Sequence, residues 1–376
     1  MGHVHDVAIV GAGIAGASLA YRLAGRADVL LLEAEDQPGA HATGRSAAMF
    51  MESYGPPQAR ALTRASRAFF EAPPAGFADR PLLAPRGALY LAAPGQQAAL
   101  DTLHAALAAT TAVDRLAPAE VLARVPCLRR QAVLGALYEA AATDIDTHAL
   151  LQGCLRGHRR QGGELLARAR VVAARHEGSA WRLGLADGRS VRARRVVDAA
   201  GAWADEVAAL FGAAPVRLQP KRRSAFTFAP PAGTDVSHWP LVAAVDEGWY
   251  FKPDAGRLLG SPANADPMPA HDVRPEDLDI ALAIDRIESV STLAIRRPQA
   301  TWAGLRSFVA DGELVIGDDG AVPGFFWLAG QGGYGLQSAP GASALAAALL
   351  LGEALPEALR AEGVAPEAMS PRRLPR

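Results

Sequence analysis

The sequence predicts an α/β fold in which a Rossmann-like dinucleotide-binding domain is interleaved with an α+β substrate domain built on an antiparallel sheet. Three observations carry that prediction. A spaced glycine turn, Gly11-x-Gly13-x-x-Gly16, lies between an apolar strand and a helix. A second strand-glycine-helix unit follows at 196–211. Between Gln219 and Ala263, short strand-like runs alternate with Pro and Gly turns.

Taken in order, Asp6–Val10 reads as a buried parallel strand and Ile14–Leu23 as a helix. Val29–Leu32 is continuously apolar, ends in Glu33 and completes a βαβ unit about 30 residues long. A Gly/Ser/Thr-rich loop, Pro38–Ser46, precedes a helix over Gln58–Phe70, where Ala61, Leu62, Ala65, Ala68 and Phe69 share a face. The Pro-rich stretch Ala72–Pro85 reads as a connection. Gly163–Ala174 and Trp181–Val197 alternate as strands do, with Asp187-Gly188 as a hairpin turn. Val196–Ala200 then leads into Gly201 and a helix over Ala204–Phe211. Ser224–Ala229 and Trp249–Lys252 are strands of the second domain. Trp302–Phe308, a turn at Asp311-Gly312, strands at Leu314–Ile316 and Phe325–Ala329, and a helix after Gln337 close the chain. The expected division places 1–48, 140–215 and 300–376 in the dinucleotide domain and 49–139 and 216–299 in the substrate domain.

Composition narrows the function. With 376 residues, 50% hydrophobic and 20% charged, the chain buries substantial cores, and its formal charge of −1 disfavours a nucleic-acid partner. Cys127 and Cys154 have neither metal-ligand spacing nor a disulfide framework, so no metal is expected and a reducing cytoplasm fits. Val7–Ala20 lacks the basic flank and cleavage site of a signal peptide. Ala342–Leu351 is shorter than the roughly 20 residues of a membrane span, so no transmembrane anchor is expected.

The glycines have separable roles. Gly11 permits the tight turn, Gly13 lets a pyrophosphate approach the backbone, and Gly16 lets helix and strand pack closely. Helix amides then face the pyrophosphate, with Ala15 in the first turn, and Glu33 stands where a ribose hydroxyl needs an acceptor. The motif alone serves NAD and FAD equally.

Three later segments decide between them. Asp198-Ala-Ala-Gly201-Ala-Trp203, Trp302-Ala-Gly304-Leu-Arg306 with Asp311-Gly312 and Ile316-Gly317, and Gly330-Gln-Gly332-Gly333-Tyr334-Gly335 resemble, in that order, the D-amino-acid oxidase-like flavoenzymes. With the N-terminal motif they span nearly the whole chain. Within that family the chain is most similar to the D-arginine dehydrogenases, through Thr43-Gly-Arg-Ser-Ala-Ala48, Gln219-Pro-Lys-Arg-Arg-Ser-Ala-Phe226 and Gly260-Ser-Pro-Ala-Asn-Ala-Asp266. The resemblance implies noncovalent FAD. Its contacts would include Arg45, Ser46, Ala47, Ala48, Val172, Gly201, Trp203, Gly330, Gly332, Tyr334, Gly335 and Gln337. The C-terminal turn has no cysteine to tether a flavin, and His41 is expected to structure its loop.

The resemblance also implies a catalytic set. Arg223 and Arg306 would grip a substrate carboxylate, which a planar guanidinium binds bidentately. Arg222 and Arg223 are adjacent on a strand and must face opposite ways. Tyr54 and Tyr250 would orient the carboxylate or amine, and Gly333 would leave room for the amine. Against the D-arginine enzymes, Met49 replaces a histidine, Met51 a threonine and Ala88 a glutamate, while Leu241 and Ala243 are apolar as well. Glu52, next to Met51 on an extended segment, is expected to face away. The reading is oxidative deamination of D-amino acids with neutral, mainly hydrophobic side chains, giving a 2-oxo acid and ammonia. The electron acceptor stays open among quinone, dye and oxygen. Competing readings are an NAD-dependent dehydrogenase, an enzyme of secondary amines such as sarcosine or proline, and a noncatalytic flavoprotein subunit.

Overall fold

His5–Val10 forms the centre of an eight-stranded sheet in a computed structural model that describes residues 3–375. Val7–Val10 pairs in parallel with Val29–Leu32 on one side and with Arg195–Asp198 on the other. Glu164–Leu166 extends the sheet beyond Val29–Leu32, and Phe325–Ala329 joins the end of Ser190–Asp198, both in parallel. These strands are apolar because both faces are covered. Their period-two alternation divides the side chains between two cores. Ile9, Leu31, Val197 and Phe326 meet the helices Ile14–Leu23, Thr147–Arg160 and Gly335–Leu351. Val10, Leu30, Leu32, Val196 and Trp327 instead meet Ala204 and Ala208 of a short helix and Trp181 of an antiparallel hairpin. Asp187-Gly188 turns between Ala180–Leu185 and Ser190–Asp198, as the sequence predicts, with Gly188 at φ +88°.

The glycine turn connects strand to helix without room for side chains. A Cβ on Gly11 would lie 2.4 Å from Ala199 O, and one on Gly16 would lie 1.9 Å from Gly11 O.

The spine of the second, nine-stranded sheet is Gln219–Phe228. It pairs antiparallel along its length with Ala300–Phe308, and on its other edge with Arg257–Ser261 and Asp266–Pro267. Tyr250–Asp254 and Leu241–Ala244 continue the antiparallel order. Two features depart from the sequence reading. Leu241–Ala244 pairs in parallel with Ala88–Ala92, which brings in Gly135–Glu139 and Asp114–Leu116. The long stretch of chain between the two strands supplies the crossover that a parallel pair needs. Ala300–Phe308, grouped by sequence with the dinucleotide segments, pairs along its whole length with Gln219–Phe228 of this second sheet.

Met49–Phe50, Thr143–Ile145 and Leu83–Pro85 form a separate three-stranded sheet. The connection expected at 72–85 thus ends in a strand, with Pro85 at its edge, where no ladder donor is missed. Cys127 and Cys154 are buried and free, and burial pushes both thiols up to about 12. No helix of the described residues is long and apolar enough to cross a membrane.

The closing helix starts at Gly335, slightly before the sequence-based start, and carries Pro340 inside it. Next to that proline, Gly341 N–H donates to Ser66 Oγ at 2.9 Å, across to the helix Pro57–Glu71. A Cβ on Gly341 would lie 2.6 Å from Leu62 O, so backbone meets backbone at this crossing. Gly341→Ala is expected to destabilise the fold by about 1–3 kcal/mol, the scale of overpacking. Denaturant unfolding measures it, and an unchanged midpoint would mean that the helices separate without strain.

Candidate functional site

A cavity of about 980 Å³ runs between the two large sheets, from the Gly11 turn to Tyr250. Most predicted site residues line it: Gly11, Gly13, Ala15 and Glu33 at one end, Tyr54, Arg223, Tyr250, Arg306 and Gly333 at the other. Arg45, Ser46, Ala47, Ala48, Val172, Gly201 and Trp203 form the walls between them. Gly332, Gly335 and Gln337 belong to the C-terminal turn that meets the same space.

Four predicted residues stand behind the lining. Gly16 packs helix against strand, and Gly330 (φ +66°) turns the chain beside Val315. Tyr334 is 3% exposed and supports the glycine turn from beneath, where its ring approaches Gly332. Ala88 is fully buried in its strand, in register with Leu241 of the lining.

At the dinucleotide end, the Glu33 carboxylate accepts from Ala12 N and Glu35 N, both at 2.9 Å, and so fixes the rim of the turn. Thr43, to which the sequence assigned no role, accepts from Ile14 N at 3.0 Å and lines the same space. No side chain caps the helix Gly335–Leu351, and its first residues, Gly335, Leu336 and Gln337, line the cavity at the positive end of the helix dipole. Arg45 lines the wall, and its guanidinium donates to Asp272 at 2.5 Å and to the Val273 and Ala303 carbonyls. It ties the Pro38–Ser46 loop to the second sheet. His41 pairs with Glu35 at 2.9 Å and packs on Trp203.

The other end is cationic. Arg223 Nε donates to Asn264 O at 2.8 Å, and Arg306 donates to the same carbonyl at 3.3 Å and to Tyr54 Oη at 3.1 Å. Among the described residues neither arginine makes an ion pair, and the buried Arg306 Nε has no partner. Burial, and with it the Arg223 charge, pushes the Arg306 guanidinium below its ordinary pKa. Arg222 faces the other way, as strand alternation requires, into Glu276, Asp266 and Asp279. Asn264 lies in a run that the sequence singled out, but its role depends on the fold. Its side chain accepts from Ser224 N and donates to Asp266 and Asp279, which aims its carbonyl at the two arginines. The Tyr250 ring lies 5.9 Å from the Arg223 guanidinium carbon. A Cβ on Gly333 would lie 2.6 Å from Tyr54 Oη, so glycine there keeps the tyrosine in reach of Arg306.

Met49, Met51, Leu241 and Ala243 form an apolar wall with Tyr90 and Trp249. Glu52 turns outward and pairs with Arg67 at 2.6 Å. Glu247, which no motif marked, adds an exposed carboxylate to the lining from a turn at φ +57°.

Behind the wall lies a buried polar chain without any sequence signature. Glu139 is 1% exposed and accepts from Glu52 N at 2.7 Å, Ser53 N at 3.4 Å and Ser53 Oγ, which in turn lies 2.6 Å from Tyr90 Oη. Burial pushes Glu139 upward, and burial followed by the Glu139 charge pushes Tyr90 well above its usual range. From the opposite side, the Gln337 amide donates to Met51 O and Tyr54 O and accepts from Met51 N. Residues 51–54 are therefore clamped by two buried side chains.

Comparison with known proteins follows the same outline. A family profile described as FAD dependent oxidoreductase (DAO) matches residues 6–349. The chain is similar to iminodiacetate oxidase from Chelativorans sp. BNC1, with 25% identity, a TM-score of 0.81, and 97% of this chain and 98% of that one covered. It is also similar to glycine oxidase from Geobacillus kaustophilus, with 24% identity, a TM-score of 0.82 and coverage of 94% and 96%. An FAD-bound L-α-glycerophosphate oxidase from Mycoplasma pneumoniae shares the fold, with 18% identity, a TM-score of 0.85 and coverage of 93% and 95%.

The clamp makes a testable statement about pH. A carboxyl whose folded pKa is raised favours the folded state below its unfolded pKa, near 4.3 for glutamate, and that contribution is lost as pH rises through the folded value. The stability of the wild type relative to Glu139→Gln should therefore decline as pH rises through that window. Glu139→Ala should cost about 1–3 kcal/mol for each backbone donor it strands. Urea unfolding of the three proteins from acid to neutral pH measures both effects, and a pH-independent difference between wild type and Gln would show that Glu139 titrates normally.

Proposed function

The chain belongs to the FAD-dependent oxidoreductase (DAO) family, and from that premise we propose that it oxidatively deaminates D-amino acids with neutral, mainly hydrophobic side chains. The observation that carries this reading is the pair Arg223 and Arg306, two converging guanidiniums that share one carbonyl and have no carboxylate partner. A substrate carboxylate supplies the missing anion. The D configuration and the dehydrogenase class rest on the resemblance of the runs at 43–48, 219–226 and 260–266.

The residues present fit FAD. Both side-chain polar atoms of Gln331 are buried, lack a partner and lie in the turn that lines the cavity. The Gly11–Gly13 turn and Glu33 suit the pyrophosphate and ribose, and the open first turn of Gly335–Leu351 suits the electron-rich edge of a flavin. Bound FAD supplies the acceptor for the hydride that leaves Cα.

The chain's own groups bind and orient. Arg223 and Arg306 hold the carboxylate, while Tyr54 and Tyr250 fix its angle and that of the amine, so that Cα–H is presented in one direction. The absence of a side chain at Gly333 leaves space beside the amine. No dedicated base is required: a substrate amine already neutral loses hydride directly, and water hydrolyses the imino acid to a 2-oxo acid and ammonia.

Magnitudes decide the side-chain preference. Placing a guanidinium against Met49, Met51 and Leu241 costs several kcal/mol in lost hydration. The exposed Glu247 returns about 1 kcal/mol or less, as surface ion pairs do. An apolar side chain gains instead by burial, and methionines adapt to its shape.

Three results are expected. Acid precipitation should release the flavin from the polypeptide, because nothing in the turn tethers it. Arg223→Ala and Arg306→Ala should each weaken carboxylate binding by about 2–5 kcal/mol. In anaerobic mixing with D- and L-amino acids, glycine and sarcosine, flavin bleaching should be fastest with D-leucine, D-methionine or D-phenylalanine. A higher kcat/KM for D-arginine, an L-amino acid or sarcosine would overturn the substrate assignment.

A further inference from the structure

The end of the first sheet's central strands away from the Gly11 turn carries a side-chain cluster that this chemistry does not use. His3 and His5 are two residues apart on an extended segment, which sets both imidazoles on one face, with ring centroids 4.5 Å apart. Asp28, just ahead of Val29–Leu32, reaches both: Oδ2 lies 2.6 Å from His3 Nε2, and Oδ1 lies 3.2 Å from His5 Nδ1. One ligand atom from each residue falls within 4.8 Å of the other two. Among the described residues this is the only such group of three.

The backbone beneath is held rigidly. Asp28 O accepts from Asp6 N and Val7 N, and Asp28 N donates to Asp6 Oδ2 at 3.0 Å. Exposure is graded: the side chain of His5 is 11% exposed, that of Asp28 42% and that of His3 69%. One ligand is thus anchored, one is fixed by the sheet, and one is free to close over an ion at the usual distance of about 2.0–2.2 Å.

We propose that His3, His5 and Asp28 bind one divalent transition-metal ion of the zinc, nickel or copper class, with water completing its shell. Two imidazoles select such ions over Mg²⁺ or Ca²⁺, which prefer oxygen. The ion clamps the segment ahead of the first strand onto the start of the second. It sits about 20 Å from the Gly11 turn, the length of a six-residue strand, so it acts on stability and leaves the flavin reaction alone.

The test uses the flavin-loaded full chain, stripped with a chelator and titrated with Zn²⁺ by calorimetry and thermal melting. One saturable equivalent and a raised melting temperature are expected, with no response to excess Mg²⁺ and no change in the rate of substrate-driven flavin bleaching. His3→Ala removes an exposed ring and leaves the sheet intact, and it should weaken binding at least about tenfold, the scale on which even outer-sphere partners act. Asp28→Ala should do the same. No saturable Zn²⁺ binding, or wild-type binding by the His3→Ala/Asp28→Ala double variant, would overturn the assignment.

Discussion

Two guanidinium groups that share one backbone carbonyl set the terms for the rest of the site. Arg223 pairs in register with Gly304, and Arg306 lies two residues further along that neighbouring strand, so both side chains rise from one face of the sheet. Like charges in this diagonal arrangement repel, and burial of Arg306 deepens the penalty. The protein does not neutralise them. It sends three carboxylates to Arg222 on the opposite face and leaves Arg223 and Arg306 with the Asn264 carbonyl and a tyrosine hydroxyl. An arginine pair in that condition binds an incoming carboxylate more strongly than one already partnered, since no internal ion pair has to be broken first.

Keeping such a site open requires rigid surroundings. The Asn264 side chain is fixed by Ser224, Asp266 and Asp279, so its carbonyl cannot rotate away from the arginines. Two sheets contribute to the cavity, and the Arg45 contacts with Asp272, Val273 and Ala303 tie the dinucleotide loop to the sheet that carries the arginines. The dinucleotide loop and the arginine pair are thereby held at a constant separation, which the proposed hydride transfer between two bound partners needs.

The sequence was most legible where a residue's role follows from backbone geometry. Gly11 and Gly13 stand between strand and helix and Gly16 in the helix's first turn, where the motif requires them, and the opposed directions of Arg222 and Arg223 follow from alternation alone. Side-chain networks were not legible. Glu139 lies in a strand among apolar residues, with no spacing that ties it to Ser53 or Tyr90, because its partners come from other elements. Ala88 shows the converse: a position matched through neighbouring motifs is buried in its strand rather than exposed to the cavity. The parallel join of Leu241–Ala244 to Ala88–Ala92 escaped for the same reason, since strands that meet across a long crossover leave no local mark.

The apolar wall and the arginine pair are mechanically coupled through residues 51–54. Met51 contributes to the apolar wall, and Tyr54, three residues on, contacts Arg306. Gln337 hydrogen-bonds the backbone at both ends of this short segment, while Glu139 holds the two residues between them. A side chain at 51 too large for its space cannot be relieved by a shift of its own backbone without moving the tyrosine. Position 51 therefore takes a larger side chain only where that side chain extends into the cavity itself. A change there that pushes on the backbone also shifts Tyr54 against Arg306, whereas Leu241 and Ala243 sit on a strand that carries neither arginine nor Tyr54.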